Sequence, residues 1–222
     1  MHVKVALDDD DTTMLLHASA LRLAQAAVPA PVAEALMSAR MTALMKTGGR
    51  VRGIATGTAY RRLVASTLAR EYGQDIVDAC ASYQYALSTR AGTECIAHAF
   101  RAATEATGNK CLLSVDGIGA YDHVLRQSML GKLLTLPRAS CLLPFVKLSY
   151  AKPTEYVWAD AEGNDHIVRQ GEGGEQGNPL MPLLFALGIH EALKAAASQL
   201  REGEDLCAFL DDVYAVCDLA GR

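Results

Sequence analysis

The chain has 222 residues, half of them hydrophobic and 21% charged, and a formal net charge of −4. That is enough chain to bury a real core, as one domain or two small ones, and no run approaches the roughly 18 apolar residues of a membrane span. An acidic balance argues against a simple nucleic-acid-coating protein, which would be basic, but it leaves room for an enzyme with local basic groups and an acidic site.

In chain order, the first 13 residues lack the long apolar core of a signal peptide. Asp8 to Asp11 precede an apolar-rich helical stretch, whose N-terminus they are expected to cap and whose dipole they suit; a metal site there is the weaker reading. Residues 29–45 continue as helix, or as helix then strand. Residues 42–57 read as a hairpin turning at Gly48–Gly49, with Lys46 before the turn and Arg50 and Arg52 after it. Arg50 and Arg52 are two apart and so share one face of the strand. Helices are expected over residues 60–73 and 93–108.

Cys111 to Val115 read as a buried strand that ends in Asp116. A leucine-rich helical stretch follows, then a second hairpin over residues 154–170 around Gly163–Asn164. Gly171 onward is a glycine-rich loop feeding a long apolar helix, with Asn178 as its N-cap and Pro179 at its first position. Last comes period-2 alternation from Leu206 to Cys217, two short strands joined at Asp211–Asp212. The six cysteines, Cys80, Cys95, Cys111, Cys141, Cys207 and Cys217, form no C-x-x-C pair. Reduced thiols of an intracellular protein are therefore expected, not a zinc site or a disulfide framework.

The chemistry concentrates in the carboxylates. Asp211 and Asp212 sit side by side in an apolar run, where two like charges resist desolvation and call for a cation. A solvated turn is the plain alternative, since aspartate is a common turn residue. Asp116 adds a third acid at another strand end. Carboxylates from neighbouring strand ends suit a pair of Mg²⁺ ions, which leave coordination positions open to phosphate oxygens. Two such ions can activate a 3′ hydroxyl and stabilise a leaving pyrophosphate.

Ser114 to Val124, Gly171 to Leu193 and Ala208 to Val216 resemble motifs A, B and C of reverse transcriptases, especially those of non-LTR (LINE-like) retrotransposons. Asp116 to Tyr121 resembles motif A, with one further residue between the acid and the Ala-aromatic pair. Gln176-Gly177-Asn178-Pro179, with Pro182 to Phe185, resembles motif B, and Phe209-Leu210-Asp211-Asp212 resembles motif C. The Lys46–Gly57 hairpin and Tyr60 to Ala65 resemble the fingers, and Ser82 to Ala103 the fingers-to-palm segment. The likeness covers roughly residues 40 to 217.

The resemblance implies an α+β polymerase palm, with helices packed on one face of a small antiparallel sheet, plus partial fingers. It divides the chain into an N-terminal helical segment (1–40), a fingers-like segment (41–105) and a palm (106–222). It implies an RNA-directed DNA polymerase using two Mg²⁺ ions, with Mn²⁺ as a substitute, dNTPs, an RNA template and a DNA primer. Asp116, Asp211 and Asp212 would be catalytic and metal-binding, with Gly117 beside them. Of the three acids, Asp116 and Asp211 would be the principal ligands and Asp212 the more peripheral. Arg50, Arg52, Gly119, Ala120, Tyr121, Gln176 and Gly177 would meet the nucleotide. Tyr121 would stand under the incoming sugar, where its ring collides with a 2′-OH. Lys46, Arg61 and Arg62 are candidates for template or phosphate contact, with a solvated surface as the equal alternative.

The departures are Asn178 for the motif's usual aspartate and Phe209 for the commoner tyrosine. Both preserve local chemistry, as a cap and as an apolar ring. The chain stops at Arg222, before the thumb and last palm strands the resemblance implies, so it reads as a fragment. An RNA-dependent RNA polymerase is one rival, opposed by Tyr121. A catalytically silent, reverse-transcriptase-like binding or scaffold module is another. A dinucleotide-binding turn fails because Gln176 stands at the third glycine of G-x-G-x-x-G. No membrane association is expected. The location would be intracellular, and nuclear for a eukaryotic retrotransposon.

Overall fold

The computed structural model describes residues 9–87, 89–107 and 109–219. In chain order the elements are α1 (Asp10–Ala24), α2 (Ala30–Met37), β1 (Ala39–Met45), β2 (Val51–Gly57), α3 (Ala59–Cys80), α4 (Gly92–Thr107) and β3 (Lys110–Asp116). There follow α5 (Ala120–His123), α6 (Arg126–Leu134), α7 (Leu143–Tyr150), β4 (Thr154–Ala159), β5 (Asp165–Gln170), α8 (Met181–Ala197), β6 (Asp205–Phe209) and β7 (Asp212–Asp218). They form two compact units that interleave along the chain, whereas the motifs divide it into contiguous blocks. The first unit takes residues up to Glu71, Cys141–Gly171 and Glu175–Pro179; the second takes Tyr72–Ser140, Glu172–Gly174 and Leu180 onward.

The first unit is built on a four-stranded sheet of order β2-β1-β4-β5. Its two hairpins turn where the glycines placed them, at Gly48–Gly49 and at Gly163. What joins them is a short parallel pairing of β1 with β4, Ala39 opposite Tyr156 and Arg40 opposite Val157. The inward face carries Ala39, Ala55 and Tyr156, with Met41 packed against them. At the start of α1, Asp9 is the N-cap, its carboxylate accepting from Thr12 N at 2.8 Å, and Asp10 and Asp11 fill the first turn. The expected capping is therefore observed; Asp8 lies outside the described residues.

The second unit is built on the antiparallel sheet β3-β7-β6. The register sets Leu113 opposite Ala215 and Leu206 opposite Ala215 on β7's other side, so these three share one face with Ala208, Val213 and Cys217. Leu193 and Ile189 of α8 pack on that face. Tyr214, Cys207 and Ser114 are on the other face, where Phe100 of α4 meets the Tyr214 ring at 5.7 Å. Helices thus cover both faces of this small sheet, a correction to the one-face expectation.

Two further expectations are corrected here. The Cys111–Val115 run is not buried: β3 is an edge strand, with Leu112, Leu113 and Val115 each about half exposed. An apolar run looks the same in sequence whether its strand is central or at an edge. The long apolar helix also starts later than Asn178. Its N-cap is Leu180 and the proline of its first turn is Pro182.

Candidate functional site

The acids come together in the second unit. β3 and β7 run antiparallel with Asp116 directly opposite Asp212, and Phe209 faces Asp212 from β6. Cα partners in a sheet project to the same face, so the carboxylates of Asp116 and Asp212 share one surface, with Asp211 at the adjoining tip. The register therefore pairs Asp116 with the acid expected to be the more peripheral. Burial, then the charges of Asp211 and Asp116, push the Asp212 carboxyl above the usual carboxylate range. None of the three makes a salt bridge among the described residues. Three acids that repel one another and have no cation are a ready locus for one.

The donor set fits Mg²⁺ in chemistry: hard carboxylate oxygens, half-exposed to exposed, at two strand ends. It is not a closed cage. Among the described residues, no three His, Cys, Asp or Glu side chains gather into a preformed metal group. Mg²⁺ is commonly held by one or two carboxylates with water and substrate phosphates completing its shell, so an open set suits it. Gly117 follows Asp116, and its carbonyl accepts the Ala120 N–H at 3.2 Å. Gly119 is the left-handed cap of the short α5, with φ +61°.

Tyr121 lies on α5, stacked on Phe185 of α8 with centroids 4.6 Å apart and planes at 5°. Burial and then Asp211 push its hydroxyl up to about 12. The ring thus stands stacked on Phe185, within electrostatic reach of the acid turn. The loop beside it is set by Gly173: its N–H donates to Val124 O and Gly174 N–H to Tyr121 O, each at 2.9 Å. Gly173 has φ +71°, and a Cβ there would overlap the Tyr121–Asp122 backbone. Only glycine fits both conditions.

The remaining expected residues belong to the first unit. Lys46, Arg50, Arg52 and Arg62 are exposed. Arg52 points to the same sheet face as Arg40, which precedes it on β1 and which sequence reading left out. The signal was there, since Arg40 is in step with the β1 alternation, but it was masked by the preceding helix.

Arg61 contradicts its expected contact with nucleic acid. It is 2% exposed, donates through Nη1 to Met37 O at 2.7 Å and forms an ion pair with the equally buried Glu175. A guanidinium so enclosed is committed to the interior.

Glu175 immediately precedes Gln176–Gly177, and this pair explains how that turn is held. The Tyr150 hydroxyl accepts from Glu175 N at 3.4 Å and from Asn178 Nδ2 at 2.9 Å. Burial and then Glu175 push the Tyr150 hydroxyl up to about 12. Asn178 is therefore a buried bridge to Tyr150 and not a helix cap. A Cβ on Gly177 would stand 2.9 Å from Ala55 O, so the turn lies flat on β2. Glu175 and Tyr150 were not singled out from sequence, since a glutamate among glycines reads as solvated loop.

No protein-family model matches the chain, and no curated protein matches it in sequence. Solved structures do match. Telomerase from Candida albicans, in complex with a TWJ fragment of telomeric RNA, aligns with a TM-score of 0.62 at 13% identity, over 86% of this chain and 39% of its own. Apo telomerase from Candida tropicalis, truncated from its C-terminal domain, aligns with a TM-score of 0.59 at 11% identity, over 82% of this chain and 44% of its own. The chain thus spans less than half the length of these structures. The likeness shows the fold alone: α+β and palm-like, as in these telomerase structures. No helix among the described residues is long and apolar enough to cross a membrane.

Proposed function

We propose that this chain carries the catalytic core of an RNA-directed DNA polymerase, of the non-LTR retrotransposon type that its three motifs resemble. It would transfer a nucleotide from a dNTP to a primer 3′ hydroxyl on an RNA template. The observation that carries this is the pairing of Asp116 opposite Asp212, with Asp211 at the adjoining turn and no salt bridge to any of the three among the described residues, beside the stacked Tyr121.

Asp116 and Asp211 would be the principal holders of divalent metal, with Asp212 and the Gly117 backbone at their side. Bound Mg²⁺ would lower the pKa of the attacking hydroxyl and neutralise charge on the leaving pyrophosphate. Tyr121, fixed by Phe185, would leave no room for a ribose 2′-OH. The flat Gln176–Gly177 turn would lie against base and sugar, and Gly119 and Ala120 would meet the triphosphate. Arg50 and Arg52 would take its oxygens as bidentate donors, and Lys46 and Arg62 template phosphates.

The test is extension of a DNA primer on an RNA template by the purified protein with Mg²⁺ and each nucleotide class. Incorporation of dNTPs well above rNTPs is expected. Equal use of both, or rNTP preference, would move the protein to the RNA polymerases.

A further inference from the structure

The tip of the β6–β7 hairpin is held by a group that belongs to neither strand. Leu210, the residue before Asp211, has φ +54°, a conformation that side chains other than glycine rarely adopt. Such a turn needs external support to persist. Gln84, 4% exposed, supplies it. Its Oε1 accepts the Leu210 N–H at 3.0 Å and its Nε2 donates to the Leu210 carbonyl at 3.2 Å. One carboxamide thus satisfies both main-chain groups of the strained residue.

Gln84 is itself anchored. It forms an isolated parallel bridge with Ala208, in which Ala208 N donates to Tyr83 O at 2.8 Å and Tyr85 N to Ala208 O at 2.9 Å. Residues 83–85 therefore run along the free edge of β6, and the Gln84 side chain reaches the turn from there. All these groups lie within the second unit. The chemistry is selective for glutamine. An ionised glutamate would lose the donor and add a fourth negative charge near Asp116, Asp211 and Asp212. Asparagine is one methylene shorter.

We propose that Gln84 is a positioning residue for the carboxylate centre, fixing Leu210 and through it the direction of Asp211 and the start of β7 at Asp212. Its functional consequence rests on the polymerase reading above; its geometric role does not. Gln84 touches no reacting atom in this scheme. It sets where the acids stand.

The experiment compares the full chain with Gln84→Met, Gln84→Glu, Leu210→Gly and the Gln84→Met/Leu210→Gly double variant. Three quantities are read: amide hydrogen exchange at Leu210, kcat and KM for dNTP in primer extension, and melting temperature. In Gln84→Met the Leu210 amide should exchange about fivefold faster or more, as one protecting bond is lost. The kcat should fall about tenfold with KM for dNTP within about twofold, the signature of a lost catalytic geometry and not of lost binding.

Glycine adopts positive φ unaided, so Leu210→Gly should restore most of the kcat in the double variant. Unchanged Leu210 exchange overturns the proposal, as does a kcat loss that Leu210→Gly leaves unrescued. Where Gln84→Met fails to fold, Gln84→Glu carries the same comparison, and wild-type kcat in that variant overturns the role. A wild-type protein inactive on every template would sink the polymerase reading, while the exchange arm would still decide whether Gln84 holds the turn.

Discussion

The two units treat charge in opposite ways. In the first, Arg61 and Glu175 are buried together and paired, and the guanidinium also donates to Met37 O. In the second, Asp116, Asp211 and Asp212 are half-exposed to exposed with no salt bridge among the described residues, and Asp212 is held reluctant to ionise. A buried charge without a partner is very costly, so an interior pair must be complete, and it then fixes backbone geometry. An exposed cluster of like charges costs less and keeps its free valence for a ligand. The contrast separates charges that shape the chain from charges that await a partner.

Neutralising a member of each set should therefore have opposite effects on stability. Asp211→Asn should reduce nucleotide incorporation by about a thousandfold or more, since it removes a metal-ligand charge without changing shape. The same change should leave the melting temperature unaltered or raise it, because it relieves repulsion. Asp212→Asn should cost less activity. Near-wild-type extension by Asp211→Asn would remove the acids from the chemistry.

Arg61→Met should do the reverse. It strands the Glu175 carboxylate inside, and breaking a buried pair in this way costs about 3–5 kcal/mol. Denaturant unfolding would show it. Arg61→Met with Glu175→Gln should recover part of the loss, as the orphan charge goes. An Arg61→Met protein as stable as wild type would mean that the pair shapes nothing.

Tyr121→Val tests the group next to the acids. Removing the ring should admit ribonucleotides and lower the dNTP preference by about tenfold or more, since the steric exclusion of a 2′-OH discriminates between the two transition states. It should also cost some stability, because Phe185 would have no ring to stack on. An unchanged ratio would leave Tyr121 a core residue only.

The smallest effect concerns pH. Burial, then Lys132, hold the His190 imidazole below its ordinary value, against a weaker pull from Glu191 and with a further push from Lys194. Its ring packs 5.7 Å from Tyr83, and its Nδ1 has no hydrogen-bond partner among the described residues. A depressed histidine pKa means the unfolded chain takes the proton first. Stability should therefore fall as pH drops below about 6.5, and His190→Phe should flatten that slope. A slope identical in both proteins would assign the acid loss elsewhere.

Legibility in the sequence followed range. Hairpins announced themselves through alternation and turn glycines, but the β6–β7 turn was read one residue late: it is Leu210–Asp211, and Asp212 already begins β7. Asp9 capping was local and came through. The β1–β4 parallel pairing has no local signature, since each strand already pairs with its hairpin neighbour. Edge or centre could not be told for Cys111–Val115, because composition does not say how many neighbours a strand has. Arg61 and Gln84 are the instructive misses. One looked like a surface cation and the other passed without comment inside the fingers-to-palm stretch, and both gain their roles from partners more than 100 positions away.

If Asp116, Asp211 and Asp212 form a cation site, binding must be visible as stabilisation of the folded chain. The direct measurement is thermal unfolding of the wild-type chain and of Asp116→Asn and Asp211→Asn, each with millimolar Mn²⁺ and with EDTA. Ligand that binds only the folded state raises its melting temperature. A rise is expected in wild type that is absent or strongly reduced in both variants. An equal rise in all three proteins, or none in wild type at saturating Mn²⁺, would contradict it.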